Sequence, residues 1–182
     1  MWAYTNGDSA ELILNGRSLG LQSVAPFDKA SWFVDFEPGN LTLVTFRNRS
    51  RWKLHSLFTP GPAASIQLMV DIPTSSDPPL AGDGRDCAVL TASVVDAHGH
   101  LVSSYPGPPV TITVSEAGSL IGMGNGDPSD HSAEGVEGSS TRRALDGLVR
   151  VIVKSSSKGL GTIVVTARSP GLRGDTIELH SL

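Results

Sequence analysis

Cysteine occurs once, at Cys87, so no disulfide can form within the chain and the redox compartment stays open. The overall excess of one sign of charge is small too. The formal net charge is -4, which leaves no overall electrostatic footprint for nucleic acid or for an anionic membrane surface. No apolar run approaches the roughly 20 residues that cross a bilayer. The opening "MWAYTNGDSAEL" has neither a basic n-region nor an apolar h-region, so no secretory signal is visible. Localisation is therefore open, with an extracellular or periplasmic site favoured if a parent protein is secreted. A sustained helical period is also missing. Aromatic residues are few, 5% of the chain, which limits any broad stacking surface.

What the chain does have is punctuation and alternation. Glycine (20) and proline (12) cut it into short segments, and the longest stretch free of both runs from Asn40 to Thr59. Period-two alternation, the mark of half-buried strands, recurs throughout. Val110, Ile112 and Val114 oppose Thr111 and Thr113. Val149, Val151 and Val153 oppose Arg150, Ile152 and Lys154, and Ile163, Val165 and Ala167 oppose Thr162, Val164 and Thr166. Ile66, Leu68 and Val70, then Ala88, Leu90, Ala92 and Val94, then Ile177 and Leu179, extend the pattern. Asn15-Gly16 sits between two apolar runs, a hairpin signal because both residues tolerate positive φ. Pro38-Gly39 and the stretch Asp96 to Gly99 mark further reversals. These patterns predict an all-β chain of two immunoglobulin-like β-sandwich modules in tandem. The break at "FTPGPAAS" predicts a small module over residues 1–60 and a larger one over 61–182.

Chemistry-bearing patterns are sparse. "GMGNGDPSDH", residues 122 to 131, alternates glycine with other residues and then supplies two carboxylates and a histidine. A phosphate cradle needs a helix N-terminus aimed at the anion, whereas "DPSDHSAEGVEGSSTRR" follows with Pro and Gly and no apolar period. The stretch is expected to be a strand end and turn, its glycines required by positive φ or close packing. Asp127, Asp130 and His131 are near enough in sequence to share a cation, yet they offer fewer ligands than calcium or zinc normally takes. His98 and His100 form a second such pair at a turn tip. Cys87 opens a strand pattern and is expected to be a buried small hydrophobe rather than a nucleophile. No G-x-S-x-G elbow is present. No catalytic residue, metal site or cofactor is assigned. For ligand contacts the candidates are Asn125, Asp127 and His131 at the turn, with Trp2 and Trp52 as the exposed aromatics. Trp32, in "WFVDF", is expected to fill a core.

Several motifs in order carry a family likeness. "WAYTNGDSAELILNGRSLG", the connector "TPGPAASIQLMVD", the block "AGDGRDCAVLTASVVDAHGHLV", and then "SLIGMGNGDPSDHSAEG", "RRALDGLVRVIVKSS" and "GTIVVTARSPGL" resemble the C-terminal immunoglobulin-like modules of bacterial β-galactosidases of glycoside hydrolase family 2. The second module also resembles invasin-type bacterial immunoglobulin-like domains. The first resemblance implies a non-catalytic C-terminal segment that packs against or spaces a catalytic barrel. Its partners would be that barrel and sibling β-domains, with a galactoside or polysaccharide as substrate of the whole. The net charge and the lack of a long apolar run imply no contact with nucleic acid or membrane. In that family the catalytic glutamates lie on a (β/α)₈ barrel of about 250 residues, which cannot fit here, so no catalytic residue carries over. The likeness also implies that the first module is truncated at its N-terminus. "RALDG" and "NRSRWKLHSLF" depart from the family pattern, the latter by being more basic and aromatic. The alternatives are a carbohydrate-binding module, or an adhesin or spacer immunoglobulin-like domain.

Overall fold

A computed structural model describes residues 1–73, 78–132, 138–157 and 161–182. The chain divides into two compact units, Met1–Thr59 and Pro60–Leu182. It is all-β, with no helix among the described residues. Residues 133–137, in the sequel to the glycine-rich stretch, lie outside them.

The first unit is built from β1 (Trp2–Ala3), β2 (Ser9–Leu14), β3 (Arg17–Ser23), β4 (Ala30–Ser31), β5 (Asn40–Arg47) and β6 (Ser50–Phe58). Four of these form an antiparallel sheet in the order β3-β2-β5-β6, while β1 pairs with β4. Asn15 and Gly16, at φ 51 and 82, make the β2–β3 turn, and their joint left-handed geometry matches the strand twist of a two-residue hairpin. The β5–β6 turn does the same through Asn48 and Arg49, at φ 51 and 63, with the Asp8 carboxylate accepting the Asn48 N–H. On β2, Ala10 and Leu12 point inward and meet Val24, Ala30 and Trp32. Trp32 is 7% exposed, and its indole N–H donates to the Gly20 carbonyl at 3.0 Å. The polar end of a buried indole is thereby satisfied, as burial requires.

The second unit comprises β7 (Ala63–Ile72), β8 (Cys87–Asp96), β9 (Val110–Val114), β10 (Gly118–Gly124), β11 (Ser139–Arg142), β12 (Leu148–Ser155), β13 (Gly161–Arg168) and β14 (Asp175–Ser181). They form two four-stranded antiparallel sheets, β10-β12-β8-β7 and β11-β9-β13-β14. One apolar cluster joins both sheets: Leu90, Ala92, Val149, Val151 and Val153 from the first meet Val110, Ile112, Ile163 and Val165 from the second. That is sandwich packing. Each fully buried Val, Leu or Ile contributes about 1.5–3 kcal/mol, so the alternation seen in the sequence is also the main source of cohesion. Cys87 differs from expectation. It is half-buried and stands opposite Lys154, because the inward register of β8 runs Ala88, Leu90, Ala92, Val94 and period two turns Cys87 to the other face.

Candidate functional site

The glycine-rich stretch begins as strand β10, which shifts register against β12 between Leu120 and Gly122. The bulge lets Leu120 and Met123 both enter the core, at 4% and 2% exposure. Only one of the three glycines that follow is demanded by backbone geometry: Gly126 has φ 81. A Cβ on Gly122 would meet Ile152 Cδ1 at 3.5 Å, an ordinary contact, and one on Gly124 would meet nothing within 4 Å. Instead of permitting a tight fit, these two leave a bare floor. An open groove of about 470 Å³ lies there, lined by Gly122, Gly124, Thr91, Arg150, Leu148 and Ile152. With no helix following among the described residues, the stretch has none of the dipole geometry that holds phosphate.

Beyond Gly126 the chain folds on itself through a chain of local hydrogen bonds. The Asp127 N–H donates to Asn125 Oδ1 at 3.0 Å, and Asn125 Nδ2 donates to Asp130 Oδ2 at 2.9 Å and to the Arg143 carbonyl at 3.0 Å. The Asp127 carboxylate accepts the Ser129 N–H at 2.8 Å and its hydroxyl at 2.7 Å. Asp130 accepts the Ser132 N–H at 3.0 Å and the Ser132 hydroxyl. These side chain-to-backbone patterns are Asx turns. They hold both carboxyls below the ordinary carboxylate value, with the Ser129 and Ser132 hydroxyls as the leading cause for Asp127 and Asp130 respectively. Arg142 on β11, 5% exposed, closes the arrangement. Its guanidinium lies 3.6 Å from Asp130 Oδ2 and donates to the Ser132 carbonyl at 2.7 Å. Asn125 and Asp127 thus come together with Asp130, while the His131 side chain is exposed.

A second polar cluster lies at the end of β8. Asp96, 3% exposed, accepts the His98 and His100 N–H groups on Oδ1 at 2.8 and 2.9 Å. Its Oδ2 accepts the Gly61 N–H at 2.8 Å and faces His100 Nδ1 at 3.3 Å. The Gly61 bond is the largest of the causes that hold this carboxyl far below its usual range. Asp96, His98 and His100 bring their ligand atoms within 4.8 Å of one another. Each carboxylate oxygen, however, is already engaged by two donors, which leaves only the two imidazoles to bind an ion, short of what zinc or calcium takes. The chemistry of this cluster is that of a clasp between the β8 turn and the chain at Gly61.

Trp2 and Trp52 lie in the first unit and the turn residues in the second. Trp2 is 69% and Trp52 44% exposed. Lys29 Nζ stands 4.8 Å from the Trp2 ring and the Arg47 guanidinium 5.2 Å from the Trp52 ring, both within cation–π range. Of all the Trp, Tyr and Phe residues only Tyr105 falls in the second unit, and it is half-buried with its hydroxyl 3.3 Å from Ser169 Oγ. Arg142 had no sequence signal as a site residue: beside Arg143 it looks like ordinary surface charge, and only the β11 register turns it inward.

Comparisons with known proteins agree on one group. Residues 74–178 match the model for glycoside hydrolase family 2 C-terminal domain 5, and residues 1–53 match a domain of unknown function, DUF4982. Beta-galactosidase BoGH2A of Bacteroides ovatus is 30% identical over all of this chain, which spans 20% of that protein. Among solved structures, a glycosyl hydrolase family 2 member from Bacteroides cellulosilyticus superposes with a TM-score of 0.85 at 23% identity, covering 100% of this chain and 22% of that one. A beta-glucuronidase from glycoside hydrolase family 2 superposes with a TM-score of 0.72 at 26% identity, covering 100% of this chain and 18% of that one.

Proposed function

The chain belongs to the glycoside hydrolase family 2 C-terminal domain 5 family, and on that premise we propose that it serves as a non-catalytic C-terminal accessory segment of a β-galactosidase-like enzyme. The observation that carries the reading is a match of that C-terminal family to a two-sheet unit, in a chain that spans about a fifth of its curated relative. The described residues contain strands and no helix, so nothing of a (β/α)₈ barrel is built from them. The two clusters of titratable groups are consumed by their own turns. Their carboxylates accept backbone and hydroxyl donors rather than standing apart as an acid and a nucleophile.

In this role the segment packs against or spaces the barrel and its sibling β-domains, and the substrate of the whole is a galactoside or a related polysaccharide. The aromatic distribution supports a contact role for the first unit. Trp2, Tyr4, Phe27, Phe33 and Phe36 are all exposed there, a density of large apolar side chains that marks interaction surfaces. The same distribution disfavours the larger module as a sugar-stacking domain, since Tyr105 is its only aromatic. The reading includes two immunoglobulin-like modules. Incubating the isolated chain with an aryl β-galactoside tests it. No release of the aryl group is expected, and turnover above the buffer rate would sink the proposal.

A further inference from the structure

We propose that the end of the β5–β6 hairpin is a binding site for an anionic glycan, a polysaccharide whose sugars carry carboxylates. The inference rests on the accessory reading only in that such a segment works beside a glycan chain. The argument begins with charge. The chain carries a net -4, yet between Glu37 and Asp71 there is no carboxylate at all, while Arg47, Arg49, Arg51 and Lys53 follow one another at every second position. All four are exposed, and none forms an ion pair with a described residue. A run of cations without ion pairs on an acidic protein is a local attractor for anions, even with the Asp8 carboxylate at the hairpin tip.

The hairpin is also built rather than merely basic. The β5–β6 register shifts between Thr45 and Phe46, pairing Thr45 with Lys53 and Phe46 with Arg51, so Trp52 is the extra residue of a bulge. Bulges re-aim side chains. The Thr45 hydroxyl, 4% exposed as a residue, holds the bulge by donating to the Lys53 carbonyl at 3.3 Å and accepting the Lys53 N–H at 3.2 Å. At the other end, Asp8 fixes the tip through the Asn48 N–H. The result places the Arg47 guanidinium 5.2 Å from the Trp52 ring with the indole still 44% exposed. A guanidinium stacked on an aromatic is already ordered, so it loses less freedom when its fork meets a carboxylate. The indole supplies a flat apolar surface next to it. A sugar ring bearing a carboxylate presents both complements, an apolar ring face and an anion, at one spacing.

The test is a binding measurement on the isolated chain with three probes: polygalacturonate, neutral galactan and poly-glutamate. Polygalacturonate should bind, with an affinity that falls as salt rises, and the other two should bind at least about tenfold more weakly. Trp52→Ala and Arg47→Ala should each weaken polygalacturonate binding by about fivefold, with the thermal melt unchanged, as loss of an exposed stacking or cation–π partner predicts. Should Trp52→Ala disturb folding, Arg49→Glu at the turn tip keeps the question open to a decision and should also weaken binding. Equal binding of poly-glutamate would show a surface selective for charge alone, a contact for acidic protein, and would overturn the proposal. So would absence of polygalacturonate binding, or wild-type affinity in Trp52→Ala. Hydrolysis is not read in this experiment, so its failure leaves the accessory reading standing.

Discussion

Replacing Asn125 by Ala distinguishes a turn-former from a ligand contact. The change removes three hydrogen bonds: one accepted from the Asp127 N–H, one given to the Arg143 carbonyl and one given to Asp130. A typical intramolecular hydrogen bond contributes about 0.5–1.5 kcal/mol net, and one to a charged group about 1.5–3. Summed at the low end, because the site is half-exposed and solvent can replace part of what is lost, the cost is about 2–3 kcal/mol. Asn125→Asp keeps an acceptor for Asp127 but loses both donated bonds and sets a second negative charge against Asp130, so it should cost at least as much. His131→Ala, at an exposed side chain, should lie within about 0.5 kcal/mol of wild type. Urea unfolding followed by far-ultraviolet circular dichroism measures all three, with calorimetry against galactose and lactose run alongside. An Asn125→Ala protein with a wild-type midpoint and weakened sugar binding would refute the account and make Asn125 a ligand residue.

Other consequences follow from the same geometry. Asp96 has a folded pKa below its ordinary value, so its stabilising contribution is full above the unfolded value of about 4 and is lost as pH falls through the folded one. Asp96→Asn should therefore be less stable than wild type at neutral pH, and acidification below about pH 4 should narrow the gap; a constant gap in melts across that range would contradict this. Ile112→Ala, at a fully buried core position, should cost about 2–5 kcal/mol. Ile152→Ala, on the outward face of β12 and 37% exposed, should cost far less, and equal costs by urea unfolding would show that the alternation is misassigned. Acrylamide quenching of the single-tryptophan variants should leave Trp32 protected and Trp2 and Trp52 accessible, with equal quenching of all three ruling out the buried indole described above.

The sheets were legible because a strand with one face in the core writes its register in period two. Val149, Val151 and Val153 are buried while Arg150 and Ile152 face outward, as their residue types require. The β2–β3 turn was legible through Asn15-Gly16. The β5–β6 turn was not, because Asn48 and Arg49 take the same left-handed geometry without a glycine, held by Asp8, which is distant in sequence and lies just before β2. The glycines of residues 122–126 misled in the other direction. Alternating glycine suggested a backbone that tolerates nothing else, whereas Gly122 and Gly124 have room for a Cβ. At the turn, Asp-x-Ser repeated at Asp127 and Asp130 is a local signal that the chain honours. Arg142 and the bond from Gly61 to Asp96 are not local, and no spacing rule brings such partners together.

The most direct measurement captures the native polypeptide carrying this segment from its own cells, with an antibody raised against the isolated chain, and assays the capture with an aryl β-galactoside. A chain that spans about a fifth of the length of a curated relative should be recovered within a polypeptide several times its 19.0 kDa, and that polypeptide should hydrolyse the substrate while the isolated segment does not. Recovery of a polypeptide no larger than the segment, or of a larger one that leaves the substrate untouched, would contradict the account.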